Sequence, residues 1–193
     1  MNLIKRLSAL AAVLVLAGCA HPISIAPDVA KLAPSESGRR IEARVAYHIP
    51  DSLQDKDVIT AGGGGDKVQY KPYKDMEAAF YVMLGNVFAQ VTKTKAVPPA
   101  ATENVSYVIT PEILTASSSE SLLTWPPTRF QTQLTCVVTD AAGNPVTTVS
   151  VMGEGLAEFD EFKTNFNLAA QRSTESALLK MRDALLADAT LKK

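Results

Sequence analysis

The stretch RFQTQLTCVVTDAAGNPVTTVSVM, residues 129–152, decides the fold because it predicts a β-hairpin. From Arg129 to Thr139 apolar or small side chains alternate with polar ones, the period of a strand with one buried face. Asp140–Pro145 is rich in turn formers, and Val146–Met152 returns as an antiparallel partner strand, which Gly153 and Gly155 are expected to end. The face predicted to meet the core carries Phe130, Thr132, Leu134, Cys136 and Val138.

The sequence on either side of this hairpin supplies a third strand and two helices. Residues 104–116 read as a strand that is at an edge or bulged at Pro111, which lacks a ladder donor. A final helix is predicted over residues 167–189. The strongest helical period covers residues 73–93, where Gly85 suggests a close approach to a neighbour. Packing of this helix on the sheet, rather than a partner groove, is the favoured reason for its apolar stripe of Met76, Phe80, Met83, Leu84, Val87, Phe88 and Val91.

Two strand signals precede the long helix. Residues 41–49 alternate as a first strand, and residues 58–60 and 67–70 flank the run Gly62–Gly65. A phosphate-binding loop would place Lys and Ser or Thr after its last glycine at the start of a helix, whereas Asp66 and a strand follow here. The pattern favours a flexible hairpin loop, whose role the sequence does not define.

These elements predict an α+β fold, in which a mostly antiparallel sheet has two helices packed on one face. We assign it to residues 40–193 as a single domain. The 193-residue chain, without its first eighteen residues, has the length of one domain with a substantial core.

The first twenty residues, MNLIKRLSALAAVLVLAGCA, have the layout of a secretory signal. Lys5 and Arg6 precede an apolar run that is too short to span a bilayer as a helix. Leu16-Ala17-Gly18-Cys19 resembles the lipobox of bacterial lipoproteins. The resemblance implies that residues 1–18 are a signal peptide that is removed and that Cys19 is lipidated. An ordinary signal peptide with an incidental cysteine is the alternative.

Residues 19–39 contain three prolines and show no regular period, which predicts a Pro-rich tether between lipidated Cys19 and the domain. Ala20 stands where lipoproteins retained in the inner membrane often carry Asp. The resemblance therefore implies anchoring at the periplasmic side of the outer membrane, with the inner membrane as the alternative. A lipidated Cys19 does not pair with Cys136, so burial of Cys136 is expected to protect that thiol in an oxidising compartment.

The segment Leu122-Leu123-Thr124-Trp125-Pro126-Pro127 contains the only tryptophan of the chain. Such an apolar loop either is exposed, as a docking or membrane-interface element, or folds back as a lid on the core. The lid is favoured. Leu122, Leu123 and Trp125 are the candidate residues for binding a ligand or a partner.

Catalytic and metal-binding motifs are not recognisable in the sequence. His21 and His48 are the only histidines, and two histidines with a core cysteine do not make a standard zinc site. Asp160 and Glu161, interpreted as lying on a strand, would point to opposite faces and make a poor acid–base pair. After removal of the signal, 17 basic and 20 acidic residues give a net charge of −3, which disfavours nucleic acid. We therefore predict no enzyme, no cofactor and no metal.

The order of lipobox, tether, strand, hairpin, long helix, three strands and final helix resembles small envelope lipoproteins that assist transport machines. These are the LPS-assembly lipoprotein, the YajG-type lipoproteins and the auxiliary lipoproteins of ABC transporters. The phrases that carry the resemblance are SYVITP (106–111) and VVTDAAGNPV (137–146). It implies a noncatalytic, membrane-anchored accessory lipoprotein that binds an envelope protein partner in a transport or assembly complex. The alternative is a lipid or glycolipid binding protein, with an apolar groove between the Met and Phe helix and the loop at Leu122–Trp125.

Overall fold

The computed structural model describes residues 20–32, 38–99 and 104–192. Within them, eight strands and four α-helices are formed, with short 3-10 helices at Val29–Lys31 and Ala189–Lys192. The helices are α1 (Asp51–Gln54), α2 (Pro72–Val87), α3 (Phe159–Phe162) and α4 (Leu168–Ala187). The strands are β1 (His21–Pro22), β2 (Ile41–Tyr47), β3 (Val58–Ala61), β4 (Lys67–Tyr70), β5 (Phe88–Lys93), β6 (Tyr107–Ser118), β7 (Arg129–Asp140) and β8 (Pro145–Leu156).

The α+β class is confirmed, and the strand pairing is mixed rather than purely antiparallel. One sheet has the order β5-β2-β6-β7-β8 and the other β1-β4-β3. The ladders β6–β7, β7–β8 and β3–β4 are antiparallel, whereas β2 runs parallel to both of its neighbours and β1 parallel to β4. The parallel pairing of β2 with β5 requires a long connection between them, and α2 is part of that connection.

The central hairpin is confirmed with its predicted face. Cys136 pairs with Pro111 on β6 and with Val149 on β8. All five side chains predicted for the inner face of β7 are fully buried. They join one apolar core with residues of α2 and α4, and α4 packs against β7, β8 and α2. The pairing of β6 with β2 ends at Ile109, so Pro111 lies where β6 needs no donor on that side, as predicted.

The long helix is shorter than predicted. It ends at Val87, and the chain passes directly into β5, which pairs parallel with β2. The β-branched residues Val91 and Thr92 suit a strand, and the edge of β2 supplies its partner. Met76, Phe80, Met83 and Leu84 are buried in the core, as expected for packing. Gly85 makes no close approach, because a Cβ there would meet nothing within 4 Å.

Gly153 and Gly155 lie inside β8 and do not end it, contrary to the prediction. A Cβ on Gly153 would lie 2.2 Å from the carbonyl oxygen of Ser173, and one on Gly155 would lie 1.9 Å from that of Ala169. The glycines therefore let α4 pack directly on the strand backbone.

The described residues of the predicted tether, 20–32, pack against the domain. Ile23 donates its N–H to Gln69 O of β4 at 2.9 Å, and the Ile25 side chain is fully buried. Ile25 N–H donates to Asp75 Oδ2 on α2 at 2.9 Å, and Thr174 Oγ1 on α4 donates to Ile25 O at 2.8 Å. Burial of two isoleucines outweighs the prolines, which are tolerated because β1 has only two residues.

Candidate functional site

The loop between β6 and β7 contains the candidate residues Leu122, Leu123 and Trp125, and it combines the two predicted arrangements. Trp125 is half-buried and folds back onto the domain, as in the lid interpretation. Leu122 and Leu123 point to solvent, with 86% and 95% of their surfaces exposed. The loop is thus fixed at one end and apolar at its exposed tip.

The run Gly62–Gly65 lies beneath this loop. The β3–β4 hairpin that it closes is confirmed, and its backbone holds the candidate residues in place. Gly63 N–H donates to Trp125 O at 2.8 Å, and Gly64 N–H donates to Ser121 O at 3.1 Å. A Cβ on Gly62 would lie 2.4 Å from Trp125 O, and one on Gly63 would lie 2.0 Å from Thr124 O. Glycine is required here because two backbones touch.

The Trp125 ring is held between two aromatic rings that are distant in sequence. His21 stacks on it with 4.3 Å between centroids and 17° between planes, and Phe166 lies at 5.0 Å. His21 Nε2 also lies 3.7 Å from Asp66 Oδ1. These contacts make His21 a positioning residue for the loop.

Two further large apolar side chains lie beside the loop. Phe159 on α3 is 60% exposed and Phe166 is 47% exposed. Together with the three candidate residues they line an open cavity of about 430 Å³. We call this set the apolar patch: Leu122, Leu123, Trp125, Phe159 and Phe166.

Asp160 and Glu161 lie on helix α3, which corrects their assignment to a strand. Glu161 holds this helix to α4. Arg172 donates from Nη1 to Glu161 Oε2 at 3.0 Å and from Nη2 to Oε1 at 2.7 Å. The hydrogen bonds from Arg172, with one from the Glu158 N–H, lower the pKa of Glu161 to about 2. Asp160 instead pairs with Lys163 at 2.6 Å. The two acids therefore belong to separate ion pairs.

A second cluster of titratable groups, which the sequence pattern did not indicate, surrounds Glu77. Its carboxylate accepts hydrogen bonds from Lys93 Nζ at 2.6 Å, Tyr47 Oη at 3.0 Å and Gln54 Nε2 at 2.5 Å. Burial alone would raise the pKa of Glu77, but these donors outweigh it and the pKa is lowered. Burial, followed by the contact with Glu77, raises the pKa of Tyr47. The hydrogen bonds to Glu77 connect α1, α2, β2 and β5.

A second open cavity, of about 930 Å³, lies at the other end of β6. It was not predicted, because its lining comes from the start of β2, the start of β6 and the end of the chain. It is lined by Arg39, Arg40, Ile41, Glu42, Ala43, Ser106, Tyr107, Leu186, Leu191 and Lys192.

The other residues singled out in the sequence are His48, Cys136 and Cys19. His48 Nδ1 lies 3.2 Å from Thr94 O. Cys136 is a free, fully buried thiol whose pKa is raised by burial. Among the described residues, no group of three or more His, Cys, Asp or Glu side chains could hold a metal ion. The candidate lipidation residue, Cys19, lies outside the described residues.

No helix in the described part of the chain combines the length and the apolar character required to cross a membrane.

Comparison with known proteins gives a low similarity to two solved structures. No family model matches the chain, and no curated protein matches it. Protein XCC0632 from Xanthomonas campestris, of the DUF330 family, is 10% identical, with a TM-score of 0.46 over 86% of this chain and 89% of that chain. A second structure, described as an uncharacterized protein, is 8% identical, with a TM-score of 0.42 over 85% of this chain and 97% of its own. Similarity at this level assigns no function.

Proposed function

We propose that the chain is a noncatalytic accessory lipoprotein of the bacterial envelope, anchored through lipid on Cys19 at the periplasmic side of the outer membrane. In this role it binds a protein partner of a transport or assembly complex. The observation that carries the proposal is the attachment of residues 20–32 to the domain. The packed segment begins at residue 20, which directly follows the candidate lipidation residue Cys19 in the sequence.

Three consecutive residues of this segment are bonded to different elements of the fold. Besides the bonds of Ile23 and Ile25, Ser24 N–H donates to the Asn167 side chain at 3.1 Å. Chain termini usually fray unless they are tied down. Because this segment is bonded to β4, α2 and α4, an anchor at the preceding Cys19 would hold the domain close to the membrane, which is useful for presenting a binding surface there.

The titratable clusters support a binding role rather than catalysis. The carboxylates of Glu77 and Glu161 accept hydrogen bonds from neighbouring elements, which lower the pKa of each. Cys136 is enclosed in the core and its pKa is raised, so it is a poor nucleophile. The alternative, a lipid-binding protein, needs an apolar groove beside the long helix α2. The structure does not support this groove, because Met76, Phe80 and Met83 are buried in the core.

The surface that we assign to the protein partner is the face of β6, β7 and β8 opposite α4. It is broad and mainly polar, with cross-strand hydrogen bonds such as Gln131 to Glu154 at 3.0 Å and Thr135 to Ser150 at 2.8 Å. Leu114 is 66% exposed within it and Met152 is 43% exposed. A polar surface with a few exposed apolar side chains is typical of interfaces that assemble from independently folded proteins.

The anchor is tested by metabolic labelling with palmitate. Label should enter the wild-type protein and be absent from Cys19→Ser, which should also leave the membrane fraction. If Cys19→Ser still takes up label and stays with the membrane, the anchor is wrong.

The partner surface is tested by a photo-crosslinking side chain placed at Leu114 in intact cells. We expect a crosslinked envelope protein that mass spectrometry identifies as a component of a transport or assembly complex. The matched control places the same group at Tyr81 on α2, which is 48% exposed but lies outside the proposed surface. Equal crosslinking from both positions, or none from Leu114, would contradict this surface.

A further inference from the structure

We infer that the apolar patch inserts into the membrane that holds the lipid on Cys19, so that the folded domain has a second, side-chain contact with the bilayer. This inference rests on the proposed anchor and adds a membrane-binding site within the domain. The site consists of Leu122, Leu123, Trp125, Phe159 and Phe166.

The exposure of the patch is the first reason. Single exposed apolar residues are normal on protein surfaces, but contiguous large ones indicate an interaction site. Leu122 and Leu123 are 86% and 95% exposed, and Phe159 is 60% exposed beside them. The leucines form a projecting tip. A single ligand in the cavity would contact one side of this tip, whereas a lipid surface can surround it.

The rigidity of the patch is the second reason. The backbone bonds from Gly63 and Gly64 fix the loop at Trp125 and Ser121. The Ser121 hydroxyl also accepts the N–H of Leu123 at 3.3 Å and the hydroxyl of Thr124 at 2.7 Å. The leucines are therefore held outward by the fold, which lowers the entropy that ordering the tip in a bilayer would otherwise cost.

The position of the patch is the third reason, and it identifies the membrane as the occupant. His21 stacks on Trp125, and Cys19 precedes His21 by two residues, a span of at most about 7 Å along an extended chain. An anchor at Cys19 would therefore hold the backbone of His21, and with it the Trp125 ring, close to the membrane surface. A tryptophan beside exposed leucines is the composition found at membrane interfaces, where the ring lies among the headgroups and aliphatic side chains reach the acyl region.

Trp125 provides a native probe, since it is the only tryptophan in the chain. The lipidated full-length mature protein is reconstituted into vesicles of phosphatidylethanolamine and phosphatidylglycerol, with or without bromine on the acyl chains. We expect brominated lipid to remove roughly half of the Trp125 emission, because an interfacial ring lies within reach of the upper acyl chains. High salt should leave this quenching unchanged, since the contact is apolar.

The double variant Leu122→Asp, Leu123→Asp should lose most of the quenching while remaining bound to vesicles through its lipid. The control is Tyr81→Asp, which places a single such charge on α2, at a side chain that is 48% exposed and lies outside the apolar patch. It should be quenched like the wild type. Protection of the Cys136 thiol from a dye shows that each variant is folded, because Cys136 is fully buried.

The outcomes separate the anchor from the insertion. Vesicle-bound wild-type protein without quenching, or with quenching equal to that of the double variant, overturns the insertion and leaves the anchor standing. Quenching that high salt abolishes also overturns it, because it indicates attraction by charge. A protein that takes up no palmitate and does not associate with vesicles overturns the anchor instead.

Discussion

Gly62 and Gly63 in the β3–β4 loop, and Gly153 and Gly155 in β8, lack side chains for the same steric reason but position different parts of the molecule. In each place a Cβ would lie within about 2.4 Å of a carbonyl oxygen. The neighbour of the β8 pair is α4, and the neighbour of the loop pair is the exposed segment that carries Leu122 and Leu123. The first pair permits core packing and the second positions a surface.

The surroundings explain why the two sites should respond differently to substitution. Around Gly153 the Ser173 hydroxyl donates to the glycine carbonyl at 3.2 Å and to Thr132 Oγ1 at 2.9 Å, and both of these side chains are buried. Displacing α4 would therefore disturb the whole core. Gly62 and Gly63 instead face the backbone of the β6–β7 loop, which can undock while the core remains closed.

The largest effect is expected for Gly155→Ala. The added methyl group would overlap the Ala169 carbonyl, so α4 must shift, and we expect a loss of stability on the order of 3 kcal/mol. Urea unfolding followed by circular dichroism measures it. Gly85→Ala is the control, because a Cβ there meets nothing within 4 Å, and it should raise stability by about 0.5–1 kcal/mol. If Gly155→Ala unfolded at the same urea concentration as the wild type, α4 would not be packed directly on this strand.

Cys136 reports on the packing of the core, because it is buried on β7 beneath the helices. Cys136→Ala should cost on the order of 1 kcal/mol from lost packing. In the wild type, a thiol-reactive dye should label Cys136 slowly in buffer and rapidly in urea. Labelling should be faster in Gly155→Ala and unchanged in Gly63→Ala. Rapid labelling of the native wild type would place Cys136 on the surface and reverse the register of β7.

A smaller global effect is expected for Gly63→Ala, which should lower the free energy of unfolding by less than about 1 kcal/mol because the loop can undock alone. The local effect should be clear. Undocking separates Trp125 from His21 and Phe166, so its emission should shift to the red and residues 119–127 should become sensitive to protease. A urea midpoint shifted as far as that of Gly155→Ala would remove the distinction between the two glycine sites.

The sequence predicts the elements whose periodicity is local. The alternation from Phe130 to Val138 and the stripe on α2 were readable because each depends only on neighbouring residues. β5 was missed because Phe88 and Val91 fit the helical period as well as they fit a strand. The open edge of β2, more than forty residues earlier, decides between them.

The candidate site was partly predictable for the same reason. Leu122, Leu123 and Trp125 stood out by composition, whereas Phe159, Phe166 and His21 join them only through the fold. The four glycines were a usable signal, since a hairpin does not need so many unless another backbone approaches. Burial of Ile23 and Ile25 was not predictable, because two isoleucines are too few to set a period and the neighbouring prolines favoured a tether.

The smallest effect concerns pH and the ion pair that holds α3, and with it Phe159, beside the loop. Hydrogen bonds from Arg172 and from the Glu158 N–H lower the pKa of Glu161 to about 2, from an ordinary value of 4.5. A carboxylate whose pKa is lower in the folded state contributes stability that is present above its unfolded pKa and is lost as pH falls through its folded pKa. The contribution of Glu161 should therefore be complete above about pH 5 and should disappear toward about pH 2.

Glu161→Gln should be less stable than the wild type above about pH 5, and the difference should shrink as pH falls toward about 2. Urea unfolding over this pH range measures it. Burial raises the pKa of Asp75, which gives the opposite sign, but Asp75 is present in both proteins and cancels in the difference. Asp160→Asn is the control, because its carboxylate contacts Lys163 and does not join α3 to α4. A difference between Glu161→Gln and the wild type that is constant across the range would mean that Arg172 does not hold α3 through the charge of Glu161, and the support for Phe159 beside the loop would then have to come from packing alone.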